Sequence, residues 1–238
     1  MKINKPGSLI TRLLFYIGGM FLVALGVRVA VRGGLGISPV SSPSRSIFNM
    51  IQVHDWSLEL FGKHIGITYG MCSAAVFIFF ILLQVIVLRR DFKPINLLQI
   101  LVSTVFGFFV DLAGSVVALI PTPEVLPYPL RLVFLACSIL LIAVGLIFYL
   151  GAKLLPMPSE GICLAIQSRL KDVPYHKVKV AADCACVLSA IAIVWFSTHT
   201  LTDIREGTLI TAVMAGVVMG WLKPVLHPFL KKCGMEPA

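Results

Sequence analysis

Six apolar runs, at about 13–31, 65–88, 95–120, 130–150, 178–196 and 207–222, constrain this chain of 238 residues more than any other feature. Each is long enough to cross the hydrocarbon core of a bilayer, which takes about 20 apolar residues as a helix. Little chain is left for a soluble catalytic domain. Composition agrees: 58% of the residues are hydrophobic and 13% charged, where a soluble domain carries roughly a quarter charged. The expected fold is therefore all-α and polytopic, one membrane domain over residues 1–238 with the lipid bilayer as its partner.

The net charge of +9 does not describe a nucleic-acid surface once the cations are located. Fourteen of the 20 Lys and Arg fall in alternate connections: Lys2, Lys5 and Arg12; Arg89, Arg90 and Lys93; Lys153, Arg169, Lys171, Lys177 and Lys179; Lys223, Lys231 and Lys232. By the positive-inside rule these segments are cytoplasmic, which puts both termini in the cytoplasm of a bacterial (inner) membrane protein. The first run continues into Arg28 without a small-x-small cleavage site, so it is expected to remain in the mature chain. Five of the six cysteines lie within apolar segments, so disulfides are not expected.

Two segments, 38–53 and 158–170, open with Pro and Ser and read as helices of only three or four turns. Counting them as crossings would put Arg89, Arg90 and Lys93 outside, so the charges predict re-entrant half-helices. The alternative is that each lies on the membrane surface. Their sequences repeat one another: Pro43-SRSIFNMIQ over Pro158-SEGICLAIQ matches at five of ten positions without a gap. The flanks agree, FLVALGV around Gly26 resembling LLIAVGL around Gly145, and Gly107 and Gly216 standing at the centres of the third and last runs. The chain thus divides into two similar halves, 10–120 and 128–230, each read as span, half-helix, span, span. Three crossings per half make this an inverted-topology repeat, the layout of secondary transporters.

GGLGISP at 33–39, the Pro-initiated helix of each half, PSEGICLAI at 158–166 and Glu206-Gly207-Thr208 together resemble the YczE/YyaS/YitT family of small bacterial integral membrane proteins. The chain ends soon after the last run, which is similar to the YczE type and departs from members with a soluble C-terminal domain. The resemblance implies a multi-span membrane protein regarded as a transporter, and it assigns no substrate and no site residue.

Charges at membrane depth are costly and mark sites or structural ion pairs. Asp111 reads either as a functional acid or as one half of a pair with an Arg of another span. Asp183, near Lys177 and Lys179, reads more readily as a structural partner. Arg28, Arg32 and Arg45 approach the start of the first half-helix, where Ser41, Ser42 and Ser44 cluster. Cations and unpaired helix N–H groups there favour an anion, while Arg28 and Arg32 can also snorkel to headgroups. In the second half Ser159, Glu160 and Gly161 take the matching place. Glu160 reads as dipole complementation or as the acid that meets Arg45 across the midplane, one site for an anion and one for a proton or cation. No metal-ligand spacing, catalytic nucleophile or nucleotide fingerprint is present, so no enzyme, metal or cofactor is expected. The function read from these features is secondary transport of a small anionic or zwitterionic solute by alternating access, against a channel-like pore or a non-transporting scaffold or regulatory protein; the oligomeric state stays open.

Overall fold

The computed structural model describes residues 9–60, 63–121, 123, 126–170, 173, 175–197 and 205–233. Lys2, Lys5 and Lys171, which entered the charge argument, lie outside the described residues. Among the described residues eight α-helices follow one another: α1 (Leu9–Gly33), α2 (Ser42–Val53), α3 (Tyr69–Leu88), α4 (Gln99–Ala118), α5 (Tyr128–Gly151), α6 (Pro158–Arg169), α7 (Tyr175–Ser197) and α8 (Glu206–Lys232). Six of them, all but α2 and α6, are long and apolar enough to cross a membrane. The all-α class expected from the sequence holds, with one short hairpin between α2 and α3, in which strands β1 (Ser57–Leu60) and β2 (Lys63–Gly66) pair antiparallel with Ser57 opposite Gly66. The last helix differs from the sequence reading: it runs ten residues past the apolar stretch, through Pro224 and Pro228.

The centre of the structure is the pair α1 and α5. Glycine recurs on α1 every seventh residue, at 19, 26 and 33, and a seven-residue period keeps one helix face toward a partner. A Cβ added at Gly19 would stand 2.7 Å from the Gly145 carbonyl oxygen, one at Gly26 would stand 2.9 Å from the Ser138 carbonyl oxygen, and one at Gly33 would stand 2.8 Å from Phe134 Cβ. The backbones therefore meet without side chains between them, the way helices associate where lipid supplies no hydrophobic drive. Arg12, one period earlier, closes the stripe by donating from Nε to the Ala152 carbonyl at 2.8 Å and from Nη2 to the Lys153 carbonyl at 2.9 Å. Residue 12 beside 152 and residue 33 beside 134 make the two helices antiparallel.

Around this pair α4 packs on α1 and α8 on α5, while α6 lies against α3 and α2 against α7. The contacts of α3 with α4, from Gly70 beside Gly107 to Gln84 beside Gln99, make that pair antiparallel as well. Gly216, which the sequence comparison sets beside Gly107, has no atom within 4 Å of an added Cβ, so the close approach of α3 to α4 at Gly107 has no counterpart there. The GGLGISP turn seats the start of α8: the Gly207 amide donates to the Leu35 carbonyl at 2.8 Å and the Ile37 amide to Thr208 Oγ1 at 3.3 Å. Gly36 has φ +133°, and a Cβ there would meet the Thr208 backbone, so both its conformation and its space require glycine.

Candidate functional site

Both short helices begin inside the protein. Proline near the first helical position forgoes an amide that has no helical partner anyway, and the first residues that follow are small: Ser42, Pro43 and Ser44 of α2 and Pro158, Ser159 and Gly161 of α6 are buried. The Ser42 hydroxyl donates to the Ser38 carbonyl at 3.2 Å and that of Ser44 to the Ser41 carbonyl at 2.9 Å, so these hydroxyls tie down the entrance to α2. Between the two short helices, with α3 and α7 as walls, lies a cavity of about 510 Å³. Pro43 and Ile47 of α2 face Ser159, Ile162 and Ile166 of α6 across it; Val76 and Phe80 of α3 and Cys186 of α7 complete an apolar lining. Charge enters through one pair, Lys179 Nζ to Asp183 Oδ1 at 2.6 Å, four residues apart on α7. The volume falls in the range of small-molecule sites.

A second constellation brackets the start of α3. Asp111 Oδ1 accepts the Gly70 amide at 2.8 Å and Oδ2 accepts the Thr68 hydroxyl at 2.5 Å, while the Thr68 oxygen accepts the Met71 amide at 3.1 Å. The acid from α4 therefore helps cap α3, where a carboxylate complements the helix dipole. Arg28 reaches the same place from α1, donating from Nε to the Val110 carbonyl at 2.9 Å, with Nη2 3.9 Å from Asp111 Oδ1. Gly114 leaves the room its guanidinium fills. Arg28 and Arg45 both lie over the Tyr69 ring, at 5.1 and 5.6 Å from its centre, and Arg45 also over Phe48 at 5.4 Å.

The third constellation stands at the start of α6. The Tyr149 hydroxyl donates to Glu160 Oε2 and accepts the Met157 amide at 2.5 Å. Tyr16 of α1 packs its ring 5.4 Å from that of Tyr149 and donates to the Leu155 carbonyl at 3.0 Å. On the other side of α6, Gln84 of α3, only 1% exposed, donates to Gln99 Oε1 at 2.9 Å and to the Pro158 carbonyl at 3.2 Å. Gly161 leaves the space that the Gln84 amide occupies.

The residues nominated from sequence thus fall into separate groups. Arg28, Arg45 and Asp111 come together around Tyr69; the half-buried Ser41 and the buried Ser42 and Ser44 form the entrance to α2; Glu160 and Gly161 stand at the far side, and Ser159 lines the cavity. Arg32 is exposed. Arg45 and Glu160 are not brought together: Tyr69, beside Arg45, and Gln84, beside Pro158, are 15 residues apart on α3, about 22 Å of helix at 1.5 Å per residue. Asp183 takes Lys179 as partner, consistent with its place near the basic end of its run. Sequence reasoning missed Tyr16, Tyr69, Tyr149, Gln84 and Gln99. Their signal was a polar tip inside an apolar run, where such a group must find a partner in the protein.

Six helices of spanning length and composition, framing a cavity between two short buried ones, define a multi-pass membrane protein. The chain belongs to a family of unknown function (DUF6198), whose model matches residues 10–224. It is similar to the uncharacterized protein YyaS of Bacillus subtilis (strain 168), with 24% identity over 220 residues that make up 92% of this chain and 96% of the relative. No solved structure matches.

Proposed function

We propose that the protein is a secondary transporter of a small solute with an apolar body and an anionic or zwitterionic head. Transport, not catalysis, is the reading, and the observation that carries it is the cavity between the buried starts of α2 and α6. Ligand sites of transporters lie where interrupted helices meet between two repeats. The apolar lining suits the body of the solute, and the Lys179–Asp183 pair with Ser159 suits a head that offers both signs or a negative one. The guanidiniums of Arg28 and Arg45 beside Tyr69 add positive charge near the start of α2.

Alternating access is the mechanism proposed, with residues 10–120 and 128–230 as inverted repeats that rock against each other in the bacterial inner membrane, α2 and α6 entering as re-entrant half-helices from opposite faces. Reciprocal contacts support this reading. Gly26 and Gly145 are equivalent in the repeat; the first meets Ile142 and the Ser138 carbonyl, the second Val23 and the Gly19 carbonyl, which is the same contact with the halves exchanged. Likewise α6 lies on α3 as α2 lies on α7, and α4 on α1 as α8 on α5.

The native thiol of Cys186 in the cavity wall supplies a test. With the other five cysteines replaced, Cys186 in oriented vesicles should react with a small water-soluble thiol reagent added from the cytoplasmic or the external side, depending on conformation, and a transported solute should slow the reaction. Complete protection from both sides would sink the transport reading in favour of a scaffold. Simultaneous access from both sides in one conformation would instead mark a channel-like pore.

A further inference from the structure

Three acids sit deep among the described helices, and their partners differ in kind. Asp111 has Arg28 3.9 Å away and two further donors, Thr68 and Gly70. Asp183 has Lys179 at 2.6 Å. Glu160 accepts from the Tyr149 hydroxyl, a neutral donor, and no cation stands within ion-pair distance of it among the described residues. A carboxylate at membrane depth without a counter-charge is costly, and taking up a proton removes that cost. The first two acids have a cation beside them; the third has a tyrosine.

The surroundings of Glu160 fit a group that changes protonation. From α5 it faces Tyr149, from α1 the neighbouring Tyr16, from α7 Lys179 already engaged by Asp183, and from α3 the neutral Gln84 at the adjacent Gly161. A tyrosine hydroxyl can donate to the carboxylate and accept from the acid. Tyr149 therefore partners Glu160 in either form, while the Met157 amide holds the tyrosine oxygen in place. The residue is also wired to the cavity: Ser159 before it and Ile162 after it both line that space. Tyr16 and Tyr149 belong to α1 and α5, the pair that joins the two halves of the chain.

We propose that Glu160, held by Tyr149, is the proton-carrying group of this protein, taking up a proton on its carboxylate and releasing it as α6 reseats against α1 and α5. This rests on the transport reading above, which left the coupling ion unassigned, but its test needs no solute. The full chain in lipid nanodiscs is titrated while infrared difference spectra follow the carbonyl stretch of a protonated carboxylic acid. In the unaltered protein the band is expected to appear as pH falls, with a midpoint above that of an exposed carboxylate because burial penalises the charged form. Glu160→Gln removes the band, whereas Asp111→Asn and Asp183→Asn keep it. Tyr149→Phe, which takes a donor from the ionised form, moves the midpoint to higher pH. Should Glu160→Gln fail to fold, Glu160→Asp serves, with the band retained at a displaced midpoint. A band that survives Glu160→Gln, a midpoint untouched by both Glu160→Asp and Tyr149→Phe, or no titrating band anywhere in the pH range over which the protein stays folded overturns the proposal. A titrating Glu160 beside a Cys186 protected from both sides would leave the proton site standing and the transport reading refuted, so the two fail separately.

Discussion

The Gly207 amide at the start of α8 donates to the Leu35 carbonyl in the turn after α1, at 2.8 Å, so the two glycine-bearing motifs GGLGISP and Glu206-Gly207-Thr208 are one structural joint. A Cβ at Gly207 would stand 2.6 Å from that carbonyl oxygen, and Gly36 adopts φ +133° against the Thr208 backbone. Gly36→Ala is expected to lower stability by about 1–3 kcal/mol, the range for a side chain forced into sparsely populated backbone space. Gly34→Ala, at φ +65° with open space around it, should cost less. Thermal unfolding of the purified variants in one detergent checks the order; equal losses would mean that the joint is not tightly packed.

The glycine stripe of α1 makes a sharper prediction. Gly19→Leu and Gly26→Leu drive side chains into the backbone of α5 and should exceed the roughly 1–3 kcal/mol of ordinary overpacking. Gly18→Leu, one residue away with nothing within 4 Å, should stay within about 0.5 kcal/mol of the parent. Yield of monodisperse protein and its melting temperature report the contrast.

Arg28 and Asp111 should behave as a coupled unit. Their side chains are 21% and 33% exposed, so the pair is screened in part, and removing either partner is expected to cost about 1–2 kcal/mol. Asp111→Ala should be the worse of the two because the Gly70 and Thr68 donors lose their acceptor as well. The double variant should cost less than the sum of the singles. Strict additivity in unfolding measurements would show that the two charges stabilise the fold independently.

Orientation follows from the charge distribution together with the antiparallel α1 and α5. Reporter fusions after Lys93 and after Lys179 should register in the cytoplasm and one at Pro123 outside. A cytoplasmic signal at Pro123 would remove the basis for the inverted repeat.

Removing the Gln84 amide probes the start of α6. Gln84→Leu strips the donor from the buried Gln99 side chain and the Pro158 carbonyl, and the unsatisfied acceptors should cost about 1–3 kcal/mol. Gln84→Glu should be worse, since a carboxylate placed against two acceptors supplies no donor unless it binds a proton. Thermal stability of the two variants decides it.

The sequence by itself determined the six spanning helices and the two short ones, because each of these is a local matter: about 20 apolar residues must hide their backbone groups in a helix, and a Pro-Ser start reads the same in any context. The likeness of Pro43-SRSIFNMIQ to Pro158-SEGICLAIQ, too, is visible in the chain. Which charges meet was decided by tertiary structure. Nothing in the spacing of Arg28, Arg45 and Asp111 announces that they gather around Tyr69, and nothing near Glu160 says that its partner is a tyrosine eleven residues earlier on α5. Those pairings depend on how close α1 and α5 approach and where α3 crosses α6, and a polar group inside an apolar run specifies only that some partner must exist. The heptad of glycines at 19, 26 and 33 lay in plain view as a pattern. Only the packed structure shows that its face is turned to α5, because a helix surrounded by lipid carries no polar side to indicate which way it points.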